Sequence, residues 1–363
     1  MQNEKIGKFH AISLIVIATM NKIILSVKQY IISDCASASL INVIYISILA
    51  LIVVSLFCLL AKKFSGKNIL DISYYLGGNF LKFIVGIVFI VYFILIAAIL
   101  LRKLCNWLQI VYYPMTDILF LLTLFAITSI LIVRFRSESN IKVSIAIFPL
   151  LVLIIILIFI GNLKNYNLTS IYPILGNGVN ATFIHGAINI FTFSAISYLY
   201  FLPPMLKEPH KFSSVAITSV IISAILLFLT VANILLTFGY SLSSSELFPL
   251  YISVRYIEFG TFFQRLDAVF LFFCILNFIC FFCLNATICI EILKQITNIS
   301  DRHISIYPLT TTIIGVAILV KTTSALHFFE NTIAKWFFFI VGLGLTFVIL
   351  ISANIKYKIF RRS

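Results

Sequence analysis

The sequence predicts an all-α membrane protein of ten transmembrane helices that divide into two inverted halves of five. Three observations predict it. First, 62% of the 363 residues are hydrophobic and only 10% are charged, against about 25% charged in a soluble domain. Second, apolar stretches long enough to cross a bilayer core of ~30 Å recur from Phe9 to Ile355. Third, Lys and Arg are unevenly shared between alternate loops. This composition excludes a soluble enzyme, a nucleic-acid-binding module and a secreted disulfide scaffold. A net charge of +14 is read as orientation in the bilayer rather than as affinity for an acidic partner. The strands of a β-barrel would alternate apolar and polar residues; that pattern is absent, and lipid leaves no other backbone solution than the helix.

The spans fall at 9–30, 40–61, 80–101, 114–133, 141–161, 181–203, 213–239, 262–290, 305–322 and 332–355, in one transmembrane domain covering 1–363. The first carries Asn21 and Lys22 and no A-x-A-like cleavage site follows it, so it is expected to be a retained span rather than a removed signal. Ten spans place both termini on one side. The loops on that side hold 17 cations, among them Lys62, Lys63, Arg134, Arg136, Arg361 and Arg362. The opposite set holds eight, including Arg102, Lys103, Lys321 and Lys335. Both termini are therefore expected to be cytoplasmic. The longest external connections are about 160–180 and 240–261, and the mixed polarity of the second predicts a short interfacial helix.

In a fold of two inverted five-helix halves, the first and sixth helices are interrupted at mid-membrane, and their freed backbone groups bind substrate or ions. The sixth span offers Asn189, Phe191, Thr192, Ser194, Ala195 and Ser197 at that depth. Small residues packing helix against helix would leave the same pattern. The first span has Thr19, Asn21 and Lys22 at its centre. A lysine there costs about 2.5–3.5 kcal/mol on insertion. It should face the bundle, as partner to a ligand carboxylate, as the stand-in for a coupling cation, or as one half of a structural pair. Tyr92 in the third span is a candidate cavity wall.

Arg255, Glu258, Arg265 and Asp267 are read as an ion-pair network fixing the external connection, since Arg255 and Glu258 share a helix face. His185 is read as structural. Of the seven cysteines, Cys280 and Cys283 form a C-x-x-C inside an apolar stretch, where packing is the expected role. No residues have metal-ligand spacing, no nucleophile–base set is present and no clear intramembrane carboxylate stands out. Neither cofactor nor enzymatic activity is expected.

Several segments carry a resemblance. Phe248-Pro249-Leu250-Tyr251-Ile252-Ser253-Val254-Arg255-Tyr256-Ile257-Glu258-Phe259-Gly260, continuing to Gln264-Arg265-Leu266-Asp267-Ala268, resembles the most recognisable stretch of the spore germination permeases, the B subunits of nutrient-germinant receptors. Ile171–Gly178, Phe191–Leu206, Asp71-Ile72-Ser73 and Leu76-Gly77-Gly78 are similar too. The resemblance implies a leucine-transporter-like 5+5 inverted repeat of the amino acid/polyamine/organocation superfamily. It implies a place in the spore inner membrane, a receptor A subunit and a lipoprotein C subunit as partners, and a small germinant, often an amino acid, as ligand. The first span departs from that pattern. Relatives break it at a Gly, whereas here no Gly occurs between Gly7 and Gly66, and Asn21-Lys22 stands at the expected break; Ala195 replaces a common Gly in the sixth span.

Three functions stay open on this reading: a germinant-sensing subunit with its ligand at the helix 1/helix 6 break, an ion-coupled amino acid transporter, and a non-binding scaffold for partner subunits.

Overall fold

The computed structural model describes residues 5–135, 137–257, 266–297 and 302–360. Among them the chain is helical, with no β-structure beyond one isolated bridge between Ile6 and Leu206. The principal helices are α1 (Lys8–Val27), α2 (Ser39–Ala61), α3 (Ile69–Val111), α4 (Ile118–Phe135), α5 (Ser137–Gly161), α6 (Phe212–Ser245), α7 (Pro249–Arg255), α8 (Leu266–Thr297) and α9 (Arg302–Leu319). The last is α10 (Thr323–Ile359). Among the described residues, seven helical segments are long and apolar enough to cross a membrane, and two shorter apolar helices cover 118–128 and 305–319. The protein is an all-α integral membrane protein.

The α1 helix is the centre of the bundle. It packs against α5, α6, α8 and the 185–193 segment, and 83% of its apolar window is buried, against 33% for α5. A helix apolar around its whole circumference belongs in an interior. The outer helices instead present Ile44, Leu59, Phe80, Leu153 and Val348 outward, as a lipid-facing surface does.

The long α3 begins with a reciprocal cap. The Asn68 side chain accepts from the Asp71 backbone N–H at 2.9 Å, and the Asp71 carboxylate accepts from the Asn68 N–H at 3.1 Å. Eight residues on, Gly77 and Gly78 bend it, Gly78 at φ +68°, a conformation only glycine adopts without strain. The segments Asp71–Ser73 and Leu76–Gly78 are thus a helix start and a kink. The α3 helix then runs well past the expected span end at 101, carrying Arg102 and Lys103 into the interior. These two residues are 6% and 4% exposed and are not loop cations.

The first span is not interrupted at Asn21-Lys22: α1 is continuous through both. Without Gly or Pro the backbone has no cause to open there, and Thr19 and Asn21 bond back to the carbonyls of Ile15 and Ile17 within the helix. The break comes later. A π-helical turn over Lys28–Ile32 and one turn at Ser33–Cys35 end at Ala36, φ +53°, before α2 starts. The loop at 173–178 packs over this break. Asn177 donates to the Asp34 carbonyl at 3.1 Å, and Gly176, φ +50°, lies so close that a Cβ would stand 2.2 Å from the Cys35 carbonyl.

The sixth segment is irregular along its length. Asn180–Ile184 is π-helical, His185–Phe193 is a nine-residue 3₁₀ stretch, and only Ile196–Leu199 is α-helical. A 3₁₀ run of that length is unusual and marks strain or a hinge. Side chains tie it down: Asn42 of α2 donates to the carbonyls of Thr182 (2.7 Å) and Gly186 (3.1 Å), and Asn189 donates to the Asn42 side-chain carbonyl at 3.2 Å. The short helix expected in the second external connection is α7.

Candidate functional site

Lys22 points into the bundle. Its Nζ lies 2.8 Å from a carboxylate oxygen of Glu330, which is 0% exposed. Lys103 Nζ pairs with the other oxygen of the same carboxylate. Ser26, one turn along α1 from Lys22, donates to Glu330 at 2.9 Å and accepts from Lys103 at 2.9 Å. One acid on α10 thereby ties α1 to α3. Each charge taken from water is costly, and such a set persists because every member has partners.

Local structure places Glu330. It lies in a π-helical turn, Phe329–Ala334, within α10. The extra residue of a π turn shifts the helix face, and such turns recur at functional positions. Aromatic rings close the site. The Lys22 ammonium stands 3.6 Å from the Phe191 ring centroid and 5.2 Å from that of Tyr30, where the ring quadrupole attracts it. Tyr30 and Phe191 meet edge-on at 5.6 Å, and Phe191 touches Phe338 of α10 at 5.6 Å.

Of the residues singled out in the sequence, Lys22 and Phe191 come together here. Thr192, Ser194 and Ala195 are buried next to Phe191, and the Thr192 hydroxyl has no hydrogen-bond partner among the described residues. Tyr92 lies to one side. Its hydroxyl is 3.2 Å from the Ser197 hydroxyl, and its ring stacks on Phe337 at 6.3 Å. Thr19 and Asn21 face elsewhere, Asn21 reaching the Asn277 carbonyl of α8 at 3.1 Å.

Glu330, Lys103, Ser26 and Tyr30 were not singled out in the sequence. Glu330 fell before the expected last span and Lys103 among loop cations, so the expectation of no intramembrane carboxylate is overturned by Glu330. The signal was an acid and a lysine five residues apart, Phe328-Phe329-Glu330-Asn331-Thr332-Ile333-Ala334-Lys335, leading directly into an apolar stretch.

At the external connection, Tyr251 of α7 donates to the Asp267 carboxylate at 3.2 Å, while Arg255 is exposed at the end of α7. Glu258 and Arg265 lie outside the described residues. Cys280 and Cys283 are buried in α8. Exposed His185 opens the 3₁₀ stretch.

A helical bundle with lipid-facing outer helices and a buried charged knot joining α1, α3 and α10 defines a polytopic membrane protein. Residues 5–326 match the family described as spore germination protein, and the chain belongs to the spore germination permease family. It is similar to spore germination protein B2 of Bacillus subtilis (strain 168), 21% identical over 224 residues. That match covers 61% of this chain and 60% of the relative's length.

Proposed function

We propose that this chain is the membrane-embedded, germinant-sensing B subunit of a nutrient-germinant receptor in the spore inner membrane, acting with an A subunit and a lipoprotein C subunit. The fold is a ten-span 5+5 inverted repeat. Seven long apolar segments, two shorter ones and the irregular 180–199 segment supply the ten spans. Both termini face the cytoplasm. Burial of Arg102 and Lys103 removes two cations from the sparser loop set and sharpens the asymmetry behind that orientation.

A small, amino acid-like germinant binds between α1 and the 191–195 segment. The observation that carries this reading is the 3.6 Å contact between the Lys22 ammonium and the Phe191 ring. It couples a buried charge on the central helix to the irregular sixth segment. Binding acts by favouring one of two arrangements, which requires different affinity for each.

The test is germination. Thr192→Val and Phe191→Leu are placed in a strain lacking the native copy, and responses to a panel of amino acids and nucleosides are titrated alongside immunodetection of the protein in the membrane. A shifted dose dependence with normal protein level is expected. Unchanged dose dependence in both variants removes the site, and uptake of labelled amino acid by the chain alone in proteoliposomes would make it a transporter.

A further inference from the structure

Three ammonium groups surround one buried ring. The Nζ atoms of Lys22, Lys335 and Lys103 lie 5.2, 5.5 and 5.9 Å from the Tyr30 centroid. They come from three elements, α1, α10 and α3, and Tyr30 from the turn that follows α1. Two carboxylates act on them. Glu330 is shared by Lys22 and Lys103. Asp34, half-buried, is near enough for its carboxylate to attract Lys335. With His185 neutral, three cations face two carboxylates, and the cluster carries one net positive charge.

A net charge in a low-dielectric interior is expensive, and the Tyr30 ring offsets only about 0.5–2 kcal/mol of it. An anion held there would offset the rest. Lys22 and Lys103 are nearly inaccessible, while Lys335 and Asp34 are half-exposed, so an anion would enter past Lys335. A donor is also left over, since the buried Thr192 hydroxyl beside Phe191 makes no hydrogen bond among the described residues.

The geometry points to an anion site formed by Lys335, Lys22 and Lys103 around Tyr30, which takes a small monovalent anion, either an organic carboxylate or a halide. For the carboxylate source it rests on the ligand site proposed above, the anion then being the germinant's own carboxyl group. The halide source is independent of it.

The test uses the purified full chain in mild detergent. Melting temperature is followed while sodium acetate or sodium chloride replaces sodium methanesulfonate at constant ionic strength. A saturable rise is expected, because a ligand that binds only the folded state stabilises it by mass action. Acetate acting alone identifies a carboxylate site, and both anions acting identifies a general small-anion site. Lys335→Met should weaken half-saturation about tenfold or more, and Lys335→Arg should keep it. No saturable rise with either anion overturns the proposal, as does an undiminished response in Lys335→Met. Should Lys335→Met fail to fold, the wild-type titration still decides. Anion binding by a chain whose Thr192 and Phe191 variants germinate normally keeps the anion site and removes the germinant reading; altered germination with no anion binding does the reverse.

Discussion

Glu330→Gln is the most informative single change. It keeps the size of the side chain and removes its charge. Lys22 and Lys103 then share a neutral amide, and both are almost wholly buried. Removing one partner of a buried ion pair costs about 3–5 kcal/mol. A second route gives the same scale: a lysine of ordinary pKa made to shed its proton at pH 7 costs about 4–5 kcal/mol. The two lysines lose one carboxylate between them, so the expected loss is about 3–5 kcal/mol, and proton release limits it from above for each lysine. Lys22→Met should cost much less, because Glu330 keeps Lys103 and the Ser26 hydroxyl, and methionine fills most of the volume. The double variant should be more stable than Glu330→Gln alone, since it holds one stranded ammonium instead of two. Equilibrium unfolding of the purified chain in mixed detergent, run as a double-mutant cycle, measures all three. A Glu330→Gln protein within about 1 kcal/mol of wild type, or a double variant less stable than Glu330→Gln, refutes the buried charge knot.

Asn285 of α8 donates to the Phe93 carbonyl at 3.1 Å and to the Tyr198 hydroxyl at 2.7 Å. Asn285→Leu should cost about 1–3 kcal/mol in the same unfolding assay. Gly186→Ala places a Cβ 2.2 Å from the Asn42 amide nitrogen and 3.0 Å from the Ala181 carbonyl, so it should sharply reduce the yield of folded protein. Gly78→Ala meets nothing within 4 Å and suffers only its backbone conformation, φ +68° and ψ −156°; it should cost about 1–3 kcal/mol and still yield folded protein. All seven cysteines are free and buried, so a bulky maleimide should label the folded chain slowly and the chain in denaturing detergent fully.

That the chain is an all-α membrane protein was legible because a bilayer imposes its own period. Twenty apolar residues and a cationic border mark a span without any tertiary knowledge. The site was legible only where a residue broke that rule conspicuously. Lys22 did so at the centre of an apolar run, and the expectation that it faces inward is met by Glu330. Glu330 and Lys103 broke the rule near span ends, where a charged residue reads as loop. Two things hidden in the sequence displaced them. The α3 helix runs to Val111 rather than ending at 101, and α10 starts at Thr323 rather than 332. The break of the first span was misplaced for a related reason. Asn and Lys look like helix breakers in lipid, yet Asn21 satisfies itself on the Ile17 carbonyl and Lys22 finds an acid 308 residues away in sequence. The real break at Ala36 has no Gly or Pro to announce it. The 173–178 loop that packs over it comes four helices later in the chain.

A single carboxylate holding cations from α1 and α3 makes the two helices interdependent. Displacing either lysine by an ångström or two leaves a buried ammonium without its carboxylate, so small movements at this point are costly. The ring contacts extend this to the sixth segment: Phe191 cannot move away from Lys22 without losing both its cation contact and its edge contact with Tyr30. Regular α-helical bonding would resist such movement along the whole segment. A nine-residue 3₁₀ stretch resists it less, because its hydrogen bonds are poorer. The part of the bundle easiest to shift is therefore the part that touches its most tightly held charge.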